Sequence, residues 1–159
     1  IMKITSEDEY GLRILLRIGK CKDKDGMSIP QLSKAEGLSH PYVSKITRSL
    51  RMSGLIISTR GHKGGYLLSK PAIEITVNDA IKALGGQLYD ANFCGKHSGQ
   101  FQICTSSVDC SIRSLWTMVQ QMIDGLLDKV TLHELIGSEE DTAFTLQKIV
   151  EENMKEFLN

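Results

Sequence analysis

The sequence predicts a mainly α-helical fold with one small β-hairpin, and three features carry that reading. Two short helix signals stand close together, separated by a turn containing Gly37. Two strand-like runs, Leu55-Ile56-Ile57-Ser58 and Tyr66-Leu67-Leu68, flank the glycine-rich basic turn Arg60-Gly61-His62-Lys63-Gly64-Gly65. Further on, apolar residues recur at three- and four-residue spacing through Ile112, Leu115, Trp116, Val119, Met122, Ile123, Leu126, Leu127 and Val130, the pattern of one long helix. A hairpin directly after the second of two close helices is a wing, so the whole reads as a winged helix-turn-helix with a long C-terminal dimerisation helix.

Taken in order, the first helix starts where Thr5 and Ser6 each precede a carboxylate by three residues (Asp8 and Glu9), which gives two overlapping capping boxes. Tyr10, Ile14, Leu15 and Ile18 supply its apolar stripe, and it runs to about Lys20. Lys22 to Gly26 is a charged loop. Ser28-Ile29-Pro30 sets proline near the first position of a short helix that ends at Gly37. Ser39-His40-Pro41 repeats that entry, and a third helix with Val43, Ile46 and Leu50 on one face stops at Gly54. After the hairpin, Pro71 closes the basic module, Thr76 to Asp79 caps a helix reaching Leu84, and Gly85-Gly86 breaks it. Gln87 to Asp109 has no periodicity, as expected of a functional or disordered loop. The long helix is placed from about Cys110 to Val130, followed by a short capped turn at Thr131 to Ile136 and a final acidic helix opening at Ser138-Glu139-Glu140-Asp141. The expected division is a DNA-binding head over 2–75, a short helix and cysteine-containing loop over 76–110, and dimerisation and C-terminal helices over 111–159.

At 159 residues and 17.7 kDa, with 41% apolar and 24% charged residues, the chain suits one compact domain plus an appended element. Its net charge is zero, yet residues 1–70 hold thirteen Lys/Arg against six Asp/Glu, and residues 71–159 hold six against thirteen. The halves are therefore +7 and −7, and the first carries the field that attracts nucleic acid. No apolar run approaches the roughly 20 residues needed to span a bilayer, so the expectation is a cytoplasmic protein without membrane contact. No phosphate-binding glycine loop, nucleophile elbow or paired-carboxylate motif is present, which argues against an enzyme. A cysteine-histidine pair within residues 94–110 is the one catalytic arrangement left open.

On a helical wheel the third helix turns Val43, Ile46 and Leu50 inward and Pro41, Ser44, Lys45 and Arg48 outward, with Ser39, His40, Tyr42 and Arg51 at its ends and flanks. Hydroxyl, ammonium and guanidinium groups of this kind reach base edges and phosphates. An ordinary solvated basic face has the same composition, but Arg60, His62 and Lys63 on a glycine-rich tip favour contact with a phosphate backbone. Cys94, Cys104 and Cys110 are separated by nine and then five intervening residues. Thiolates are soft ligands for an iron-sulfur cluster or for zinc, and the same spacing fits unconnected thiols; the paired CxxC of a zinc ribbon is absent. Cys21 reads as a small, half-buried apolar residue.

Met2-Lys3-Ile4-Thr5 ahead of Tyr10, the wing from Arg60 to Leu68, Cys110-Ser111-Ile112-Arg113-Ser114-Leu115-Trp116 and Thr131-Leu132-His133-Glu134-Leu135 together resemble the Rrf2 family of bacterial winged-helix transcription regulators, over about residues 2–137. The likeness is to its IscR- and NsrR-like, cluster-binding branch. It implies a homodimer built on crossed long helices, two heads on a palindromic double-stranded DNA operator, and an iron-sulfur cluster, 2Fe-2S before 4Fe-4S, that tunes repression. Cys94, Cys104 and Cys110 match the branch's ligand cysteines, with a longer first gap. Arg113 stands where IscR-type members carry a histidine ligand, so the resemblance implies another fourth donor: Glu9 of the other subunit, which also reads as a cap with Ser6, and after it His97. Structural zinc, or no metal with protein or small-molecule partners, is the alternative.

Overall fold

The computed structural model describes residues 4–59, 64–90, 92–98, 104 and 106–157. The first helix, α1 (Ser6–Lys20), begins after Thr5, whose backbone is extended and whose side chain accepts the Asp8 N–H while Asp8 in turn caps Thr5. The capping box is thus the Thr5–Asp8 one. Glu9 belongs to neither cap interaction, which corrects its pairing with Ser6, because the helix starts one residue earlier than a Ser6 cap requires. Gly11, Ile14, Leu15 and Ile18 form a buried stripe at helical spacing. The short helix α2 (Ile29–Glu36) is capped by Ser28 and Gln31 and leaves through Gly37, whose φ of 66° is readily adopted only by glycine. Helix α3 (His40–Met52) follows two residues later and buries Val43, Ile46, Thr47 and Leu50.

Strands β1 (Ile56–Ser58) and β2 (Tyr66–Leu68) pair antiparallel with Ile57 opposite Leu67. Met27 and Tyr66 exchange both backbone hydrogen bonds, so the loop after α1 flanks β2 on its other side. Gly26 and Gly65 allow that approach, since a Cβ on either would meet a carbonyl oxygen at 2.2 or 2.1 Å. A 3-10 turn at Ala72–Glu74 leads to α4 (Val77–Leu84), capped by Thr76 and Asp79. Then come the one-turn α5 (Phe93–Lys96), the long α6 (Ser111–Leu127), the one-turn α7 (Leu132–Leu135) and the terminal α8 (Glu139–Phe157).

A single core joins α1, α2, α3, β1, Ile75 and Ala80, and Leu132 completes it from α7, fully buried. The chain therefore returns to the head after α6. Backbone bonds from Val77 to Val130 and from Leu132 to Ile75 fix that return, and the buried Asn78 amide donates to Asp128 at 2.8 Å. Helix α6 stops at Leu127, so Val130 is not the last turn of its stripe but a buried residue of the head. Helix α6 itself buries no residue fully. Its Val119, Ile123, Leu126 and Leu127 are half-buried on the inner side, while Ile112, Leu115, Trp116, Met118 and Met122 stay exposed. Among the described residues no helix is long and apolar enough to cross a membrane.

Thr5→Ala is expected to cost about 1 kcal/mol of unfolding free energy in a denaturant titration. Glu9→Gln, outside the box, is expected to stay within about 0.5 kcal/mol of wild type. Equal losses would contradict the Thr5 start.

Candidate nucleic-acid interface and cysteine loop

Helix α3 is held from behind and from its N-terminus. Behind it the fully buried Thr47 returns its hydroxyl to the Val43 carbonyl, so even the polar residue of the inner face is satisfied locally. At the start Ser39 caps the helix by accepting the Tyr42 N–H at 3.4 Å, and Pro41 occupies the first turn, where no N–H is needed. Tyr42 packs edge-on against Tyr10 with centroids 6.1 Å apart, and its hydroxyl meets Ser6 Oγ at 3.3 Å. Its aromatic edge is thereby committed to the contact between α1 and α3.

His40, Pro41, Ser44, Lys45, Arg48 and Arg51 are exposed, as the wheel predicts. Lys45 nevertheless has a partner. Its ammonium lies 2.7 Å from Glu7 Oε2 on α1, and the hydrogen bond and charge of Glu7 hold the lysine above its ordinary range. Arg48 and Arg51 make no hydrogen bond or ion pair with the described residues. Arg60, His62 and Lys63 lie outside the described residues. The base of their turn is fixed, with Thr59 N–H donating to the Gly65 carbonyl and Gly65 N–H donating to Thr59 Oγ1, both at 2.9 Å.

One buried carboxylate sets α2 against α1. Glu36, with a side chain 1% exposed, accepts from Arg13 Nε at 2.7 Å and Arg17 Nε at 2.6 Å. Glu36 and Glu7 are the two positioning residues that sequence reasoning missed, since nothing local marks a partner 23 or 38 positions away.

In the cysteine loop, Cys94 sits in α5 with its sulfur 3.6 Å from the Tyr89 hydroxyl. Tyr89 is anchored by its N–H to Gln120 Oε1 on α6 at 2.9 Å. The Cys94 hydrogen bond, then partial burial, raise the Tyr89 phenol above its ordinary value; Cys94 and Cys110 add to this electrostatically, and Arg113 opposes it. Cys110 caps α6 by accepting the Arg113 N–H at 3.3 Å, and the Arg113 guanidinium donates to the Ser107 carbonyl. His97 stacks on Phe93 with centroids 4.3 Å apart and is exposed. Cys104 is half-buried, and all four cysteines are free thiols. The donor chemistry suits an iron-sulfur cluster, but among the described residues no three His, Cys, Asp or Glu side chains converge closely enough to hold a metal. As placed, Cys94, Cys104 and Cys110 are not a ligand set. Glu9 is exposed and faces Arg13 at 4.0 Å.

A family model described as Rrf2, an iron-dependent transcriptional regulator, matches residues 4–138. The HTH-type transcriptional regulator IscR of Serratia proteamaculans is 31% identical over 139 residues, covering 87% of this chain and 82% of that one. Among solved structures, T. potens IscR superposes with a TM-score of 0.63 at 27% identity, covering 84% of this chain and 85% of that one. CymR, the global cysteine regulator of B. subtilis, superposes with a TM-score of 0.60 at 27% identity, covering 86% of this chain and 97% of that one.

In an NMR titration the Lys45 ammonium is expected to deprotonate above the usual lysine range, and in Glu7→Gln to return to it. Because the folded value is raised, the pair's contribution is fully present below the ordinary value of 10.5 and is lost as pH rises through the higher folded value. An unchanged Lys45 titration in Glu7→Gln would contradict the pair.

Proposed function

Because the chain belongs to the Rrf2 family of transcriptional regulators, we propose that it binds a palindromic operator as a homodimer and represses transcription from it, with an iron-sulfur cluster tuning its affinity. The relatives are transcription regulators and not enzymes. The observation that carries the DNA-binding reading is the outward face of α3, basic and exposed on a helix whose opposite face is fully buried. In this reading Ser39, His40, Pro41, Tyr42, Ser44, Lys45, Arg48 and Arg51 line the major groove, and Arg60, His62 and Lys63 take phosphates at the wing. The exposed apolar face of α6, from Ile112 to Met122, packs against the partner subunit. The head, cysteine loop and C-terminal helices divide the work near residues 75 and 110.

Cys94, Cys104 and Cys110 would hold the cluster, 2Fe-2S by preference, with Glu9 of the partner subunit as fourth donor and His97 the next in line. When bound, the cluster would supply a redox-active centre. This chain's own part would be to link the cysteines to α6, through Tyr89 to Gln120 and through Cys110 to the first turn of α6. The absence of a converged set of three ligands among the described residues favours, as second reading, a metal-free regulator.

Fluorescence anisotropy on promoter fragments across a salt series, with protein purified without oxygen, tests both. The coloured protein is expected to prefer one fragment over bulk DNA. Arg48→Ala should reduce that preference by about 1–3 kcal/mol, and Lys63→Ala should weaken all fragments alike and flatten the salt slope. Removing the cluster should change affinity by about 1–3 kcal/mol. No preference for any fragment would contradict the regulator. A colourless protein, with one zinc per chain or with no metal, that keeps the preference would replace the cluster alone.

A further inference from the structure

A cleft of about 670 Å³ opens between the first turn of α1, the Gly85-Gly86 end of α4 and the inner face of α6. Sites of that size enclose small organic molecules. Leu12, Ile81, Leu88, Ile123 and Leu127 make its walls mainly apolar, and its ionisable groups all have one sign. Asp8, Glu9 and Asp124 line it, and none of the described lining residues is basic. Asp124 already has partners, Lys82 at 3.4 Å and Gln120 at 2.8 Å. Glu9 faces Arg13.

Asp8 is different. Its Oδ2 accepts the Thr5 N–H at 2.9 Å and the Thr5 hydroxyl at 2.6 Å, which completes the cap. Its Oδ1 is buried and has no hydrogen-bond partner, the one such side-chain atom among the described residues, in a residue 5% exposed. Gly86 leaves room for it, since a Cβ there would lie 2.1 Å from Oδ1 and one of the two would have to shift. A buried carboxylate oxygen without a donor is costly, and a ligand that brings the donor recovers that cost.

We propose that this cleft binds a small organic cation, an amine or amidine on an apolar body, with its N–H groups directed to Asp8 and its body among Leu12, Ile81 and Ile123. A neutral donor would meet the hydrogen-bonding need without the charge, and an anion would be repelled by all three carboxylates. Ser6 and Glu7, the residues before Asp8, hold Tyr42 and Lys45, so an occupant acts on the turn that positions α3. That consequence for operator binding rests on the reading of α3 given above.

The test uses the full chain with labelled methyl groups and three probes of one shape: phenethylamine, phenethyl alcohol and phenylacetate. Phenethylamine is expected to shift the Leu12, Ile81 and Ile123 methyls and to bind about tenfold more tightly than the alcohol. Asp8→Asn keeps a capping acceptor and should abolish the preference. Should that variant not fold, Ile81→Trp fills the cleft from α4 without touching the cap and should abolish the shifts. No methyl shift with phenethylamine, as when a second copy of the chain fills the cleft, would overturn the proposal, and so would equal affinity for the three probes. Bound amine that leaves operator affinity unchanged would contradict the link to α3. A chain that binds the amine yet prefers no DNA fragment would contradict the regulator reading alone.

Discussion

Thr5, extended and hydrogen-bonded to the Asp8 N–H, decides where α1 begins, and the arrangement of the head depends on that register. Starting there, the first turn sends Ser6, Glu7 and Tyr10 toward α3, Asp8 inward beneath Gly86, and Glu9 to solvent. A start one residue later would take Ser6 out of the helix and open the Thr5–Asp8 box, leaving both partners of that cap without each other. Farther along α1, Arg13 and Arg17 are four residues apart and so share a side, which lets both guanidiniums reach the buried Glu36. One helix thus holds α2 by a carboxylate and α3 by an ion pair and two tyrosines. Helix α3 inherits its position from α1.

The second half of the chain is bound to the head at the C-terminal end of α6. There, Asn78 takes Asp128 and the strand-like bonds at Val77 and Leu132 carry the chain back into the core. At the N-terminal end of α6 the contacts are local: Cys110 caps it, Ser114 Oγ donates to the Cys110 carbonyl, and the Arg113 guanidinium donates to the Ser107 carbonyl. The end of α6 nearer the thiols is the one with fewer anchors, and Tyr89, between Cys94 and Gln120, links the two.

The helices and hairpin were legible in the sequence because their signals are local: Ser28, Ser39 and Thr76 cap, Gly37 and Gly85 terminate, and apolar spacing marks the buried faces. Where a local signal was ambiguous, packing decided. Thr5 and Ser6 both offered a box, and the enclosure of Asp8 against Gly86 goes with the Thr5 one. Val130 continued the apolar period of α6 but belongs to the chain's return into the head, because periodicity registers burial and not which element is buried. The outward residues of α3 were read correctly as a face. That Lys45 is already paired was invisible, since Glu7 is 38 positions away. The loop from Gln87 to Asp109 had no period to read, and its internal contacts, Tyr89 with Cys94 and Phe93 with His97, depend on a one-turn helix too short to leave a pattern.

On the reading proposed for α3, DNA would compete with Glu7 for Lys45, and a double-mutant cycle on operator affinity measures that competition most directly. Glu7→Gln is expected to bind the operator more tightly than wild type, by severalfold at low salt and less as salt rises. In a Lys45→Ala background the same substitution should bring much less of that gain. A Glu7→Gln variant that binds more weakly, or a gain of the same size without Lys45, would contradict a recognition helix whose lysine is held in reserve by α1.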